Sequence, residues 1–591
     1  NTVSGQGTII TNPLYDATVG IKDLSSNLSV TTNLSLEYMI LKNLRITEQL
    51  TYMRGMAGTD RFLPAAHTSF ELEDDLTRKG SYSMSTGEMS SWSSNMGINY
   101  NFVQDKHLFS VFGNWTISQD RNNYVNLAAT GYPDPHMDDF IFGNKMETNM
   151  AGIGNENISR SIGLIGQFSY SYDNRYSADF NLSGEASSRY AKHDLVPFWS
   201  VGGRWNAHNE KWLRGYLSNL VFRASYGVTG EQNFSPSDAI EYYSFAETMN
   251  PYQSFPVLGA LLSGLNNTSL GWAKTYNKSA SVDFGFWKNR VNVTFNYYNN
   301  ITKELLTNYD LAPSTGYPTM VMNAGELQNR GFDASVNVIA MQNLRKEFFW
   351  TINANANRNK NEILKLSEYL KKANEEQQKS ASAPLPQYRE GQSTTTLYVV
   401  QSLGVDPVTG KEVYLKRDGT KTFEWNSNDK VPVGDTNPKV SGTLSSSINW
   451  KDLSCTLGFT YKYGGVVYNQ TLVDKIENQN VAYNLDNRAG QGRWEKPGDV
   501  TSFVGFSPTG ANTPASTRFI MKDNEIRFAT LSLGYRLSGQ DFKALRKANI
   551  DVLALNFTTN DIARISPIRM ERGLDYPFAR SYTLSMSLMF R

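Results

Sequence analysis

From Val440 to Tyr463 the chain runs in strict alternation through two segments with one turn between them, and this stretch restricts the possible folds more than any other. Val440, Leu444, Ile448 and Trp450 alternate with Ser441, Thr443, Ser445, Ser447 and Asn449. Trp450-Lys451-Asp452-Leu453 reverses the direction. On the return, Leu453, Cys455, Leu457, Phe459, Tyr461 and Tyr463 share one face, and Ser454, Thr456, Gly458, Thr460 and Lys462 take the other. Successive residues of a strand point to opposite faces, so each segment carries one apolar surface and one rich in hydroxyls and amides. Alternation held over about ten residues and ending on an aromatic suits a strand standing between lipid and water. Strands of soluble sandwiches are usually shorter, at about five to six residues.

The same unit recurs along the chain. Val30, Leu34, Leu36, Tyr38 and Ile40 turn at Lys42-Asn43 into Leu44 to Met53, and Met96 to Phe102 turn at 103–106 into Phe109, Val111, Trp115 and Ile117. Ala280 to Phe286, Phe332 to Val338, Trp350 to Ala356, Leu531 to Leu537 and Tyr582 to Phe590 repeat the pattern. Tight turns alternate with long polar connections, the asymmetry of bacterial barrels with short periplasmic turns and long outer loops. The expected fold class is therefore all-β, a transmembrane antiparallel β-barrel with about 17 strands in this chain. Closure at 22 strands, the size of plugged outer-membrane transporters, would need about five more strands and a plug that this sequence does not contain. The strand parity then puts residues 1–28 outside the cell as a loop segment, with 29–591 as the C-terminal portion of the barrel. Residues 1–11 are polar and Gly-rich and do not read as a secretion leader.

Composition narrows the alternatives. At 591 residues the chain exceeds a single ordinary core, and a mean hydropathy of -0.45 excludes a helical membrane bundle but not a barrel. A net charge of +1 without a basic cluster gives no nucleic-acid footprint. Cys455, the single cysteine, reads as a small apolar filler on the outward face. His67, His107, His136, His193 and His208 are far apart and give no metal-ligand spacing, so no metal and no cofactor are expected. Asp406-Pro407-Val408-Thr409-Gly410-Lys411 reads as a hairpin turn and not as a phosphate loop. Residues 361–379, with Ile363, Leu364, Leu366, Tyr369 and Leu370 among charges, suggest a short amphipathic helix in an outer loop.

Several segments, spread over most of the chain, resemble the SusC/RagA family of TonB-dependent transporters. They include Phe62-Leu63-Pro64-Ala65-Ala66-His67, Asp173-Asn174-Arg175-Tyr176, Phe198-Trp199-Ser200-Val201-Gly202 and Asn206-Ala207-His208-Asn209-Glu210-Lys211. Ala224-Ser225-Tyr226-Gly227-Val228-Thr229-Gly230, Asn329-Arg330-Gly331-Phe332, Arg493-Trp494-Glu495-Lys496-Pro497-Gly498-Asp499 and Tyr576-Pro577-Phe578-Ala579-Arg580 extend the match. Val440 stands where the family often has Trp after Asn-Pro-Lys, and Arg591 follows the terminal aromatic Phe590. The resemblance implies import of oligomeric nutrients, glycans or peptides, across the bacterial outer membrane, without covalent chemistry. It also implies a SusD-like surface lipoprotein as lid, energy from TonB through a plug outside this sequence, a possible dimer of such pairs, and Phe590 as the barrel-assembly signal.

Substrate contacts are expected from loop residues near the outside: Tyr132, Asp138, Asp139, Phe140, Arg493 and Trp494. Aromatic rings stack on sugar or peptide faces, while carboxylates and guanidinium direct hydrogen bonds. Two other readings share parts of this pattern. A passive porin or secretion channel would have the same barrel with an open lumen, and an outer-membrane enzyme would need converging Ser, His and acidic side chains at the rim.

Overall fold

A computed structural model describes residues 13–146, 153–192, 194–213, 215–231, 239, 243–249, 256–262, 264–379, 384, 387–479, 487–506, 512–540, 542–568 and 580–590. His193 and the Tyr576 to Ala579 part of the family-like segment lie outside the described residues. The chain divides into two compact units, Asn1–Tyr170 with Asp179–Trp199 and Ser171–Ala178 with Ser200–Arg591. Among the described residues no helix is long and apolar enough to cross a membrane.

In the first unit, β1 (Lys22–Leu41), β2 (Leu44–Leu63), β3 (Ser81–Gln104) and β4 (His107–Thr130) form an antiparallel meander. β1 begins at Lys22, ahead of Val30 where apolar alternation becomes regular, because its polar residues from Asp23 to Asn27 still pair with β2. Tight turns at 42–43 and 105–106 close one end, and the loops 64–80 and 131–144 leave the other. The register sets Tyr38 beside Ile46 and Ile46 beside Ile98, so the apolar residues form one continuous surface across strands. Glu48 interrupts that face and accepts a hydrogen bond from Ser94 Oγ at 2.7 Å. β3 and β4 each have 24 residues, about 80 Å of extended chain. Even tilted, strands of that length run well past a hydrocarbon layer about 30 Å thick.

The second unit continues as a meander in sequence order. Asn219–Glu231, Ala273–Phe286, Val291–Lys303, Glu326–Asn343 and Phe348–Lys365 each pair antiparallel with the next. Val440–Trp450, Leu453–Tyr468, Ile520–Ser538, Ile550–Ile565 and Tyr582–Phe590 follow in the same way. The 440–463 hairpin has the expected register: Leu444 faces Phe459, Ile448 faces Cys455, and Lys451 makes the turn at φ 51°. Across the next strand, Cys455 faces Leu533 and Phe459 stacks on Phe528 at 4.7 Å. Leu457, Phe459 and Tyr461 remain half-exposed, so this face is a surface and not a dry core.

The apolar face has a definite edge. On Phe348–Lys365, Trp350, Ile352, Ala354 and Ala356 give way to Arg358, Lys360 and Glu362. Glu362 pairs with Lys360 at 2.8 Å and Arg330 at 3.5 Å. An apolar run of this length matches the nine to eleven or so residues of a tilted membrane strand. The expected helix over 361–379 occupies only Glu368–Gln378. Residues 361–365 stay in the strand because Asn361 and Ile363 pair with Asn329 and Leu327, and Ile363 is buried.

Candidate functional site

Two loop assemblies and one strand face hold the polar groups available to a ligand. In the first unit the 64–80 and 131–144 loops are tied together: Tyr132 N–H donates to Lys79 O at 2.8 Å and Gly131 N–H to Gly80 O at 3.1 Å. Beneath them Phe62, Tyr82, Ala129 and Tyr132 form a closed aromatic cluster, with Phe140 packed against it. Phe62 meets Tyr132 edge-on at 5.3 Å. Gly80 sits at φ 77°, and a Cβ there would lie 2.8 Å from that of Tyr132, so the loop entry requires glycine. The Tyr132 hydroxyl donates to Phe140 O at 3.1 Å. Burial, with help from Tyr82 and Asp139, pushes its pKa up to about 12.

Asp16 pins a third segment to this platform. Its carboxylate accepts from Thr68 N–H at 3.0 Å and Thr68 Oγ1 at 2.7 Å, with His67 Nε2 at 3.5 Å. Burial pushes the Asp16 carboxyl up, but the two Thr68 donors and the His67 charge outweigh it and hold the pKa below its usual value. A depressed carboxylate contributes stability above the unfolded pKa of about 3.9 and loses it as pH falls through the lower folded value. The Thr68 amide should therefore stay protected from exchange at pH 6 and lose protection at the acid end, below about pH 4. Asp16→Asn should remove that pH dependence, which hydrogen exchange read at Thr68 checks directly.

The expected contact residues divide by role. Tyr132 is fully buried, and Phe140 is half-buried over the aromatic cluster. Asp139 caps the short helical turn Phe140–Phe142 by accepting from Ile141 N–H at 3.2 Å. Asp138 is exposed and pairs with Lys22 at 3.7 Å. In the second unit Arg493 is buried and donates to Val504 O and Glu477 O, each at 2.9 Å, and to the Ile476 and Ala489 carbonyls. Its guanidinium lies 4.1 Å from the Phe506 ring centre. Trp494 Nε1 donates to Pro407 O at 2.9 Å, so the indole covers the 406–411 turn. That segment is the expected hairpin: Asp406 accepts from Thr409 N–H at 3.0 Å and Oγ1 at 2.6 Å.

Next to Trp494, residues 396–435 and the described residues of 469–519 build a small folded body. Its sheet runs 421–422, 412–415, 396–405, 430–435 in spatial order. Tyr398, Val399, Val400, Val473, Ile476 and Phe519 are fully buried in this assembly. At its centre Arg518 Nη2 lies 2.8 Å from Glu412 and 2.7 Å from Glu477, all three side chains being under a tenth exposed. Ser516 Oγ donates to Glu412 at 2.6 Å.

The strand face is the feature that alternation of apolar residues alone does not reveal. Asn353, Asn355, Asn357, Asn359 and Asn361 occupy every second position of Phe348–Lys365, opposite the apolar residues. Neighbouring strands answer with the same chemistry. Asn359 and Asn361 donate to Asn329 Oδ1 at 3.1 and 2.9 Å, and Asn355 donates to Thr443 Oγ1 at 2.7 Å. Asn337 bonds Asn353, Asn357 bonds Asp333, and the Tyr298 hydroxyl reaches Asn359 at 3.2 Å. A groove of about 370 Å³ opens on this face beside Asn355, Asn357, Ser441, Thr460 and Lys462. Carboxamides both donate and accept, so the ladder offers uncharged hydrogen-bonding sites to a polar chain.

No group of three or more metal-ligating side chains occurs among the described residues. The described histidines have other partners: His67 faces Asp16, His107 the Tyr170 hydroxyl at 2.8 Å, His136 Asp134 at 2.8 Å and His208 the Leu220 carbonyl at 3.1 Å.

The model of the family described as "TonB dependent receptor-like, beta-barrel" matches residues 2–362. TonB-dependent receptor P3 of Formosa agariphila is 24% identical over 543 residues, covering 83% of this chain and 52% of that protein. TonB-dependent receptor SusC of Bacteroides thetaiotaomicron is 26% identical over 456 residues, covering 73% of this chain and 44% of its own length. The chain thus spans about half the length of the curated relatives it matches. Among solved structures, the RagAB peptide importer in its "open-open" state superposes with a TM-score of 0.80 at 19% identity, covering 96% of this chain and 60% of that one. These likenesses bear out the SusC/RagA resemblance. Such receptors are β-barrels of the outer membrane and form a transporter class, not an enzyme class. The chain belongs to the TonB-dependent receptor-like β-barrel family.

Proposed function

We propose that this chain forms the larger, C-terminal share of a SusC-like barrel that imports oligomeric polar nutrients, peptides or glycans, across the bacterial outer membrane. The observation that carries the reading is the asparagine ladder on the polar face of Phe348–Lys365 and its neighbours. A lumen lined by carboxamides exchanges hydrogen bonds with a peptide backbone or with sugar hydroxyls one at a time, without a deep charged trap. The chain contributes about 17 strands to a barrel closed at 22, with residues 1–28, of which 22–28 already run in β1, on the outer side and a plug in the lumen. TonB acts on that plug, a SusD-like lipoprotein closes over the long loops, and two such pairs assemble side by side. Phe590, on the exposed end of the last strand, marks the chain for barrel assembly.

Asp138, Asp139 and Phe140 meet the substrate or the lid at the loop surface of the first unit, and Trp494 does so at that of the second. Tyr132 and Arg493 act from beneath, holding the loops that present them. Replacing Asn355 and Asn357 by leucine in the full-length protein should lower uptake of a labelled oligopeptide or oligosaccharide about tenfold, two modest hydrogen bonds' worth. Barrel migration on unheated gels should not change. Uptake that is equal with and without TonB, or steady large conductance from the assembled complex, would favour the passive channel and overturn this reading.

A further inference from the structure

On the apolar face of the second unit a shallow groove of about 690 Å³ crosses several strands close to their short-turn ends. Its floor is made of small residues: Ala224 pairs with Ala280 across the ladder, and Gly203 is open enough that a Cβ there would meet nothing within 4 Å. Aromatic side chains wall it, with Trp205 stacked on Phe222 at 5.5 Å and Tyr297 directly opposite Ala280. The lining is almost wholly apolar, and the missing bulk leaves a furrow where neighbouring stretches of the same face carry full-sized residues.

The connections that join the groove strands at this end have a different character. Trp212, Tyr216 and Trp287 are 65%, 85% and 76% exposed. Lys211, Lys288 and Arg290 are exposed beside them in sequence. The nearby carboxylates are already committed, Glu210 to Arg175 at 3.1 Å and to the Tyr176 hydroxyl at 2.6 Å, and Asp173 to Arg175 at 3.2 Å. Exposed indoles and phenols with long cations beside an apolar wall are the side chains that sit at a lipid headgroup layer. Short turns of outer-membrane barrels face the periplasm.

We propose that the groove is a lipid-binding site that seats an acyl chain of an anionic glycerophospholipid of the periplasmic leaflet. The chain would lie over Gly203, Ala224 and Ala280, and the phosphate would lie within reach of Lys211, Lys288 and Arg290. The assignment rests on the barrel reading of the fold and not on import, since lipid retention can be read without any transport.

The test is native mass spectrometry of the full-length protein in mild detergent, titrated with phosphatidylglycerol or phosphatidylethanolamine. Wild type should retain phosphatidylglycerol in preference. Gly203→Trp, which points into open space, together with Ala280→Trp at an exposed position, should lower retention about tenfold. Lys211→Gln, Lys288→Gln and Arg290→Gln together should abolish the preference between the two headgroups while uptake persists. Equal retention by wild type and the filled variant overturns the proposal. So does a wild-type dimer that the filled variant turns into monomer without lipid loss, because a second copy is then the occupant. Should the filled variant not fold, an unchanged headgroup preference in the charge variant overturns it as well.

Discussion

Arg518→Leu should unfold the body built from residues 396–435, 469–479, 487–506 and 512–519 while leaving the strands that carry it in place. The two carboxylates of Glu412 and Glu477 converge on one guanidinium nitrogen, and Ser516 already donates to Glu412 from the other side. Removing the cation, which lies over the Phe519 ring, leaves two negative charges together, out of water, near Tyr414 and Tyr468. Breaking a buried ion pair by deleting one partner costs about 3–5 kcal/mol, enough to raise amide exchange in these loops by about two to nearly four orders of magnitude. New protease cleavage should appear in 396–435, 469–479, 487–506 and 512–519, with no change in barrel migration. Adding Glu412→Gln and Glu477→Gln to an Arg518→Met background should recover most of the protection, because a neutral cluster no longer carries uncompensated charge. If Arg518→Leu exchanges at the wild-type rate, the triad does not hold the loops together.

The strands were legible because lipid and water on opposite sides impose a two-residue period that the chain must obey locally. The 440–463 hairpin shows this directly, with register, turn and faces all following from the alternation of Leu444, Ile448, Phe459 and Tyr461 with hydroxyl residues. The loops obey no such period. Their order comes from contacts between segments far apart in sequence, such as Arg518 with Glu412 or Asp16 with Thr68, and no local pattern announces them. The helix expected over 361–379 begins only at Glu368 for the same reason, since ladder pairing of Asn361 and Ile363 with Asn329 and Leu327 overrides a helical spacing of apolar residues. The asparagine ladder is legible in the sequence, because five asparagines at alternate positions from Asn353 to Asn361 form a regular signal on the polar face.

Tyr132→Ala should destabilise the 64–80 and 131–144 platform by about 3–5 kcal/mol, the range for deleting a large aromatic from a closed cluster. The ring is fully buried, touches Phe62 and Tyr82, and sends its hydroxyl to the Phe140 carbonyl. Its loss opens a void under Gly80 and frees the short turn that carries Asp139 and Phe140. Tyr132→Phe separates packing from the hydrogen bond and should cost only about 1 kcal/mol. An anchoring role therefore predicts a graded series, wild type, Phe, then Ala, in protection of the Tyr132 and Gly143 amides, whether or not substrate is present. A direct substrate contact predicts the reverse ordering of observables: weakened ligand binding in the Phe variant with loop protection intact. Measuring exchange and ligand affinity on the same two variants decides between the roles, because burial makes the first a property of the empty protein and the second a property of the complex.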